Sequence, residues 1–398
     1  MQVTDMSETV IDYVKTEMRT FAEHPFHEVD SLVLSQLSYI HLGNLIVPPT
    51  AGAVRKPLTL QQLFRSECFE HYFADQMDAV KNRKLLTACA ASPRFRDIGV
   101  AYYAQEFDEE NEKQFCAMTF FIDADTAYLA FRGTDCTLIG WKEDFNMAFL
   151  TPVPSQESAL SYTLSVAKLV RGKLMLGGHS KGGNLAVYAA MKSPQRLQNR
   201  IVSIFSHDGP GFRDNIFSSD EYLRISDRIR KTLPQSSLVG MLLEHQENYA
   251  IVESTAVGIV QHNPYSWIVR NGDFVRMTTL TSGADYLNRT LADWLSALPN
   301  EQREQFVDAL YSVISTTDLT SLLELRENWQ TEVAIVIENM KTMDEPTRRI
   351  LHETLRSLMR VAVKNLPTQV QKEQANHKKT PKARSRKRGT VNGQLQDS

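Results

Sequence analysis

The sequence contains little cysteine and no long apolar segment. Its four cysteines, at 68, 89, 116 and 136, have neither the close spacing of a metal site nor the paired spacing of a disulfide framework. We therefore expect reduced thiols and a cytoplasmic protein. No apolar run approaches the ~18–20 residues that a membrane-spanning helix needs. The opening segment MQVTDMSETV has neither the basic nor the apolar region of a signal peptide, so we expect no secretion signal.

Motifs for nucleotides and metals are absent as well. The chain has no Walker sequence, no dinucleotide-binding glycine pattern and no zinc-type spacing of cysteine and histidine. We therefore expect no cofactor and no metal ion. Any catalysis would then come from side chains and backbone groups alone.

Charge is distributed unevenly along the chain. The net charge is −3, but residues 372–398 carry +6, because eight of them are Lys or Arg and two are acidic. A segment so basic and so poor in apolar residues cannot bury a core, and we expect it to be disordered. It could contact an anionic membrane surface, which would make the protein membrane-peripheral. It could also contact nucleic acid nonspecifically or serve as a solubilising tail. It contains no stacking aromatic residue, so we expect no specific nucleic-acid recognition.

Hydrophobic periodicity divides the chain into four parts. They are an N-terminal helical segment at 1–92, an α/β core at 93–280, a C-terminal helical subdomain at 281–366 and the basic tail at 367–398. The subdomain has two apolar helical stripes, one at 329–340 and one at 351–359. Packing on the α/β core is favoured for them, and a membrane-binding or partner-binding face is the alternative.

Strand-like and helix-like segments alternate within the α/β core. The strand-like segments lie at 98–106, 114–122, 127–131, just before Gly178, and at 200–206, 229–233, 249–253 and around Trp267. Helix-like segments lie at 138–149, at 157–171 and directly after Ser180. This alternation predicts an α/β fold, with a mostly parallel sheet and helices on both faces.

The segment Gly178-His-Ser-Lys-Gly182 connects a strand-like run to a helix-like run. A G-x-S-x-G sequence in this setting is typical of a nucleophile elbow, in which the serine hydroxyl is exposed at the carboxyl edge of the sheet. The chain reversal requires a strained backbone at Ser180, and side chains two residues to either side would collide. Both flanking residues are glycine, as this geometry demands. The alternative is a glycine-rich turn without chemistry.

A serine nucleophile needs a general base that an acid orients, and after an elbow the acid precedes the histidine in the chain. Four of the five histidines after Ser180 come too early or lie beyond the sheet; they are residues 207, 245, 352 and 377. His262 follows the last core strand in a predicted loop. We therefore expect His262 to be the general base, with an ordinary loop histidine as the alternative.

The acid is less well determined. Asp208 ends the strand after the elbow helix in a Gly-Pro-Gly turn and is our first candidate, with a turn-capping aspartate as the alternative. The loop after the following strand, at 234–237, contains no carboxylate. Glu244 is the second candidate.

Two backbone N–H groups are needed to stabilise an oxyanion. The Lys181 N–H would lie at the N-terminus of the elbow helix. Thr134, at the end of an earlier strand in Arg132-Gly-Thr134, is the expected source of the second N–H, and its hydroxyl could donate a further hydrogen bond or orient the loop. We expect Arg132 to brace this loop through a salt bridge.

Several of these segments carry a family resemblance. Ala130-Phe-Arg-Gly-Thr134, followed by Trp141, and Gly177-Gly-His-Ser-Lys-Gly-Gly-Asn-Leu-Ala186 resemble the two signatures of class 3 (fungal-type) lipases. A bacterial branch of lipase-like α/β-hydrolases, the Mbeg-like domain of unknown function, is more similar still. That resemblance spans residues ~30–275 and is specific because several motifs agree in order. The motifs are FRGTD at 131–135, GWKED at 140–144, GHSKGGN at 178–184, DGPGF at 208–212, PQSS at 234–237 and QH at 261–262.

The resemblance implies an α/β-hydrolase fold and an esterase or lipase. It assigns the nucleophile to Ser180, the oxyanion role to Thr134 and the base to His262. Two departures stand out, because Lys181 replaces the leucine usual in the lipase elbow and no carboxylate lies near Ser237. The lysine should leave its N–H undisturbed but places a cation beside the site.

Class 3 lipases also have a lid helix just after the Arg-Gly-Thr segment. The resemblance implies such a lid at 138–149, with Trp141 and Phe145 on the substrate side. Structural packing of these two aromatic residues is the alternative.

The leading hypothesis is a cytoplasmic serine hydrolase that cleaves small acyl esters or lipids through an acyl-enzyme. One alternative is a non-catalytic hydrolase-like protein that binds a lipid or a partner. The other keeps the serine chemistry in a thioesterase, amidase or acyltransferase.

Overall fold

The computed structural model describes residues 8–49, 56–74, 76, 78–135, 138–147, 151–212, 216–243, 248–299, 301–302, 305–309 and 345–365. Within these residues the chain forms a nine-stranded sheet and a separate two-stranded ribbon. The strands are β1 (Leu58–Thr59), β2 (Gly99–Asp108), β3 (Lys113–Phe121), β4 (Thr126–Phe131), β5 (Lys173–His179), β6 (Ile201–His207), β7 (Ile229–Pro234), β8 (Tyr249–Val252), β9 (Val269–Arg270), β10 (Asp273–Phe274) and β11 (Arg276–Met277).

Helices precede, separate and follow these strands. The described α-helices are α1 (Val10–Thr16), α2 (Glu28–Leu37), α3 (Leu60–Phe64), α4 (Ala79–Ala91), α5 (Leu138–Asn146), α6 (Pro154–Leu169), α7 (Lys181–Lys192), α8 (Gln195–Gln198), α9 (Asp220–Leu223), α10 (Ser282–Ala297) and α11 (Glu345–Asn365).

The large sheet is parallel in its centre and antiparallel at both edges. Strands β4, β5, β6, β7 and β8 lie side by side in parallel. Strands β1 to β4 are joined in antiparallel order, and β11 pairs antiparallel with β8. The predicted fold class, an α/β-hydrolase fold with a mostly parallel sheet and helices on both faces, is confirmed. The parallel register brings the carboxyl ends of β4, β5 and β6 to one edge of the sheet.

The central strands are buried on both faces, as expected where helices cover a parallel sheet. In β4, Tyr128 and Ala130 pack into one hydrophobic core, whereas Ala127, Leu129 and Phe131 pack into the other. Because successive strand residues point to opposite faces, five residues of this one strand supply both cores. Helices α1, α2 and α4 cover the first face, and α6 and α7 cover the second. The boundaries at 92, 280 and 366 remain a prediction.

The strand expected around Trp267 lies slightly further along the chain. Trp267 forms only an isolated bridge with Ser254, and the paired residues of β9 begin at Val269. The indole instead lies fully buried, and its Nε1 donates a 2.8 Å hydrogen bond to the carbonyl of Gln261. Its burial, and not the pairing of a strand, explains the apolar character of this segment.

Helix α10 connects the sheet to the C-terminal helix α11. Asn288 Nδ2 donates to the carbonyl of Ser237 at 3.0 Å, and the Tyr286 hydroxyl donates to the carbonyl of Ala362 at 2.7 Å. In the second predicted stripe, Leu351 is buried but Met359 is exposed. The first stripe and the basic tail lie outside the described residues. Among the helices of the described part, none is long and apolar enough to cross a membrane.

Candidate active site

Ser180 occupies a sharp turn between β5 and α7. Its backbone has φ 58° and ψ −132°, a region that residues other than glycine rarely adopt. Two hydrogen bonds hold the turn: the Ser180 N–H donates to the carbonyl of His207, and the Gly183 N–H donates to the carbonyl of Ser180, each at 2.9 Å. The strain expected for a nucleophile elbow is therefore present at this serine.

The flanking glycines are required by sterics. A Cβ atom on Gly178 would lie 2.3 Å from the carbonyl carbon of Gly182 and 2.5 Å from the Phe131 oxygen. A Cβ atom on Gly182 would lie 2.1 Å from the same Phe131 oxygen. The two positions thus crowd each other, as expected from the sequence, and both also crowd the end of β4.

Three predicted site residues come together at the carboxyl edge of the sheet. His262 Nε2 lies 3.0 Å from Ser180 Oγ, and His262 Nδ1 lies 2.6 Å from Asp208 Oδ2. Ser180 follows β5, Asp208 follows β6, and His262 ends a short 3₁₀ helix at Gly258–His262 beyond β8. The order serine, acid, histidine is the one expected for a hydrolase elbow. Glu244, the second candidate for the acid, lies outside the described residues.

The loop without a carboxylate contributes a hydroxyl instead. Ser237 Oγ donates to Asp208 Oδ1 at 2.5 Å, and the Gly240 N–H donates to the same oxygen at 3.1 Å. Asp208 is fully buried, so these two donors compensate for the lost hydration of its carboxylate. Sequence reasoning missed Ser237, although the PQSS motif that contains it was one of those that carried the resemblance.

The His262 backbone is held by His179, a residue that sequence reasoning did not select. His179, directly before the nucleophile, donates from Nε2 to the His262 carbonyl at 2.9 Å, and the two rings pack with centroids 4.6 Å apart. Burial, reinforced by the nearby His262, holds the pKa of His179 well below its ordinary value. His179 is therefore neutral and acts here as a hydrogen-bond donor. Its position inside the G-x-S-x-G motif was the only signal that could have identified it.

The other side of the site is formed by the loop after β4. Gly133 leaves no room for a side chain, because a Cβ there would lie 2.7 Å from the carbonyl oxygen of His179. This close approach brings Thr134 next to the elbow. The Thr134 hydroxyl donates to Asp144 Oδ2 at 2.5 Å. Arg132 lies 3.5 Å from Asp135, which is the ion pair expected to brace the loop.

Lys181 is the first residue of α7, where backbone N–H groups lack partners within the helix. Its side chain is buried and pairs with α5: Nζ lies 3.0 Å from Glu143 Oε2 and also donates to the carbonyl of Gln114 at 3.0 Å. The cation expected beside the site is thus paired with a carboxylate. Nζ lies 4.0 Å from Asp144 Oδ1 as well.

Asp144 is partly exposed as a residue, but its Oδ1 is shielded from solvent and has no hydrogen-bond donor among the described residues. Burial raises the pKa of the carboxyl to about 6, whereas Lys181 and the Thr134 hydroxyl act in the opposite direction. Asp144 therefore holds its proton to a higher pH than an ordinary carboxyl does.

The helix predicted as a lid is present as α5. Its Glu143 is fully buried and accepts the backbone N–H groups of Gln114 at 3.1 Å and Ser155 at 2.8 Å. The side chains of Trp141 and Phe145 lie outside the described residues, so their placement on the substrate side stays a prediction. Within the described part of the chain, no group of His, Cys, Asp and Glu side chains is arranged to hold a metal ion.

The segment that carries His262 is partly exposed and has an apolar component. The His262 side chain is 27% exposed, so the site is reachable from solvent. On the same loop Val257 is 80% exposed and Val260 is 48% exposed.

A family model described as Mbeg1-like matches residues 89–312, more than half of the chain. A search of curated proteins found no match.

Several solved lipase structures are similar to this chain. A fungal lipase–inhibitor complex is 16% identical with a TM-score of 0.33, covering 43% of this chain and 70% of that one. A deletion mutant of the Rhizomucor miehei lipase propeptide complex is 15% identical with a TM-score of 0.33, covering 58% and 90%. M37 lipase is 16% identical with a TM-score of 0.31, covering 46% and 69%. Because these scores are low, the fold assignment rests on the sheet order and the elbow.

Proposed function

The chain belongs to the Mbeg1-like family, and we propose that it is a serine hydrolase that cleaves carboxyl esters of acyl or lipid-like substrates through an acyl-enzyme. The observation that carries the proposal is the hydrogen-bonded series Ser180–His262–Asp208, with separations of 3.0 Å and 2.6 Å. A nucleophile, a base and an orienting acid in this arrangement are what acyl transfer requires.

In the first step His262 Nε2 removes the hydroxyl proton as Ser180 Oγ attacks the ester carbonyl. A bond forms between Oγ and the acyl carbon, and the carbonyl electrons move to the oxygen. The bond to the alcohol oxygen then breaks, and the alcohol leaves with the proton from His262. Water, deprotonated by the same histidine, then attacks the acyl carbon. The bond between that carbon and Ser180 Oγ breaks, the carboxylic acid leaves, and Oγ takes back the proton from His262. Asp208 accepts the Nδ1–H of His262, which keeps Nε2 free to act as the base.

Negative charge on the carbonyl oxygen needs donors that are already in place. We assign this role to the backbone N–H groups of Lys181 and Thr134. The first lies at the N-terminus of α7, whose dipole favours an anion. The second lies on the loop that Gly133 brings against the elbow, and the bond from the Thr134 hydroxyl to Asp144 fixes that loop.

The surroundings favour an acyl or lipid-like ester over a charged substrate. Val257 and Val260 present apolar surface beside His262. The cation of Lys181, which could have attracted an anionic substrate, is instead paired with Glu143. An acyl chain could therefore lie along the loop that carries the base.

A fluorophosphonate probe tests the proposal. We expect the folded protein to be labelled on Ser180, as read from the modified peptide by mass spectrometry. Ser180→Ala should lose the label, and His262→Gln should react at least ~100-fold more slowly, since the base is missing. The matched control Ser193→Ala, in which the changed serine lies at the far end of α7, should be labelled like the wild type.

Substrate class is tested with p-nitrophenyl esters and thioesters of graded acyl length. We expect ester hydrolysis that improves with chain length, because each CH₂ buried against the apolar loop adds up to ~0.8 kcal/mol. Faster turnover of thioesters would favour a thioesterase. If the folded wild type were not labelled and hydrolysed none of these compounds, the protein would not be a serine hydrolase.

A further inference from the structure

The Lys181–Glu143 ion pair connects the two halves of the proposed oxyanion hole. Lys181 carries one backbone N–H, and its side chain is 1% exposed. Glu143 is 0% exposed and lies next to Asp144, which accepts the hydroxyl hydrogen bond of Thr134, the residue with the other N–H. Charges buried this deeply are costly unless they are paired, so the pair strongly favours one position of α5.

We propose that Lys181 and Glu143 are positioning residues that hold α5, and with it Asp144 and Thr134, in register with the N-terminus of α7. The inference rests on the proposed function and adds to it a role for the side chain that replaces the leucine of the lipase elbow. Helix α5 then serves as a fixed wall of the site, because moving it away as a lid would separate the pair.

Additional contacts support a fixed position for α5. Glu143 accepts the N–H of Gln114 on β3 and that of Ser155 on α6, so one side chain joins α5 to two further elements. Lys181 also donates to the Gln114 carbonyl. Separating α5 from α7 would therefore leave several buried polar groups without partners, not the two charges alone.

The pair also sets the electrostatic surroundings of Asp144. Four groups act on this carboxyl: Lys181 on α7, Thr134 on the β4 loop, His262 on the 3₁₀ helix, and Glu143 on the same helix as Asp144. The phenol of Tyr39 and the Arg132–Asp135 pair lie nearby. The Lys181 cation favours ionised Asp144, the form that accepts the Thr134 hydroxyl most strongly, whereas Glu143 disfavours it.

Single substitutions should therefore shift the pH dependence of kcat in opposite directions. Lys181→Met removes the neighbouring cation, so the acid limb should move to higher pH by about one unit. Glu143→Gln removes the neighbouring anion, so the acid limb should move to lower pH. Each should lower kcat about tenfold with KM within about twofold, because the hole acts on the transition state. A purely structural role would lower activity without opposite pH shifts.

Two further variants identify the route of the effect. In an Asp144→Asn background the opposite shifts should disappear, and their persistence would mean that the charges act on His262 and not through Asp144. Lys192→Met removes an exposed lysine from the other end of α7 and should leave kcat and the pH profile unchanged. In the double variant Lys181→Met/Glu143→Gln, kcat should fall by less than the product of the two single losses.

Hydrogen exchange separates this inference from the proposed function, because it requires no turnover. In Lys181→Met, amides at 132–135 and 138–146 should exchange at least ~fivefold faster, whereas Lys192→Met should match the wild type. If the wild type proved unreactive but this acceleration occurred, the positioning role would stand and the hydrolase would not. Unchanged exchange in folded Lys181→Met would overturn the positioning role whatever the activity.

Discussion

Asp208→Asn should nearly abolish hydrolysis while leaving the fold intact. Asp208 Oδ1 accepts two hydrogen bonds, from Ser237 Oγ and the Gly240 N–H, so the substituted side chain must place its carbonyl oxygen there. Its NH₂ group then faces His262 Nδ1, which lies 2.6 Å from Asp208 Oδ2. An NH₂ donor at that place requires Nδ1 to accept. The ring proton therefore moves to Nε2, which can no longer receive the proton of Ser180.

The magnitude follows from the loss of the base. A wrong imidazole tautomer in such a triad lowers kcat by ~10⁴, about 5 kcal/mol of transition-state stabilisation. The free energy of unfolding should change much less, because asparagine has nearly the size of aspartate and still accepts the hydrogen bonds from Ser237 Oγ and the Gly240 N–H. The assay is kcat for p-nitrophenyl ester hydrolysis, with thermal unfolding measured on the same samples.

Glu244→Gln is the matched control for this prediction. It changes the second candidate for the acid by the same chemical step and should leave kcat within about twofold. Two results would refute the reasoning: kcat of Asp208→Asn within tenfold of the wild type, or a larger loss in Glu244→Gln. Either result would give the orienting role to another carboxylate.

Three further changes are predicted. Ser237→Ala removes a hydrogen bond to a buried carboxylate and should lower kcat about tenfold, since such a bond contributes ~1.5–3 kcal/mol. The control Ser236→Ala should have little effect. Equal kcat values for the two variants would contradict the role of Ser237 as the donor to Asp208. Gly182→Ala places a methyl carbon 2.1 Å from a backbone oxygen of β4, so it should lower the melting temperature and the yield of folded protein. An unaltered melting temperature would argue against the elbow geometry. Asp30→Asn leaves the fully buried Arg94 guanidinium without its carboxylate partner, 2.6 Å away. It should lower the free energy of unfolding by ~3–5 kcal/mol, measured by urea denaturation, and a loss below 1 kcal/mol would contradict this account.

Much of the fold was predictable because its causes are local. Alternation of strand-like and helix-like segments identified β2 to β8 with bounds close to those observed, since burial on both faces imposes runs of apolar residues. The same holds for the elbow at Ser180, because a tight reversal excludes side chains two positions away on either side. The strand predicted around Trp267 begins two residues later, at Val269, because a buried indole and a buried strand give the same apolar pattern.

The candidate acid was not decided by the sequence, because proximity of loops at the ends of strands depends on the sheet. Chain order allowed both Asp208 and Glu244, and the described structure brings Asp208 to 2.6 Å from His262. Ser237 and His179 were not selected because neither is an acid, a base or a nucleophile that the predicted triad required. Their importance arises from the atoms opposite them, Asp208 Oδ1 and the His262 carbonyl.

The sequence by itself determined the nucleophile candidate Ser180, the histidine candidate His262 and the α/β class, through steric and periodic requirements that operate over a few residues. Only the tertiary structure decided where the Lys181 side chain points. Sequence order places its cation beside the candidate nucleophile Ser180. The packing of α5 on α7 provides Glu143, 38 positions earlier in the chain, 3.0 Å away. A buried cation is stable only beside such a partner, and which partner is available depends on how the helices pack.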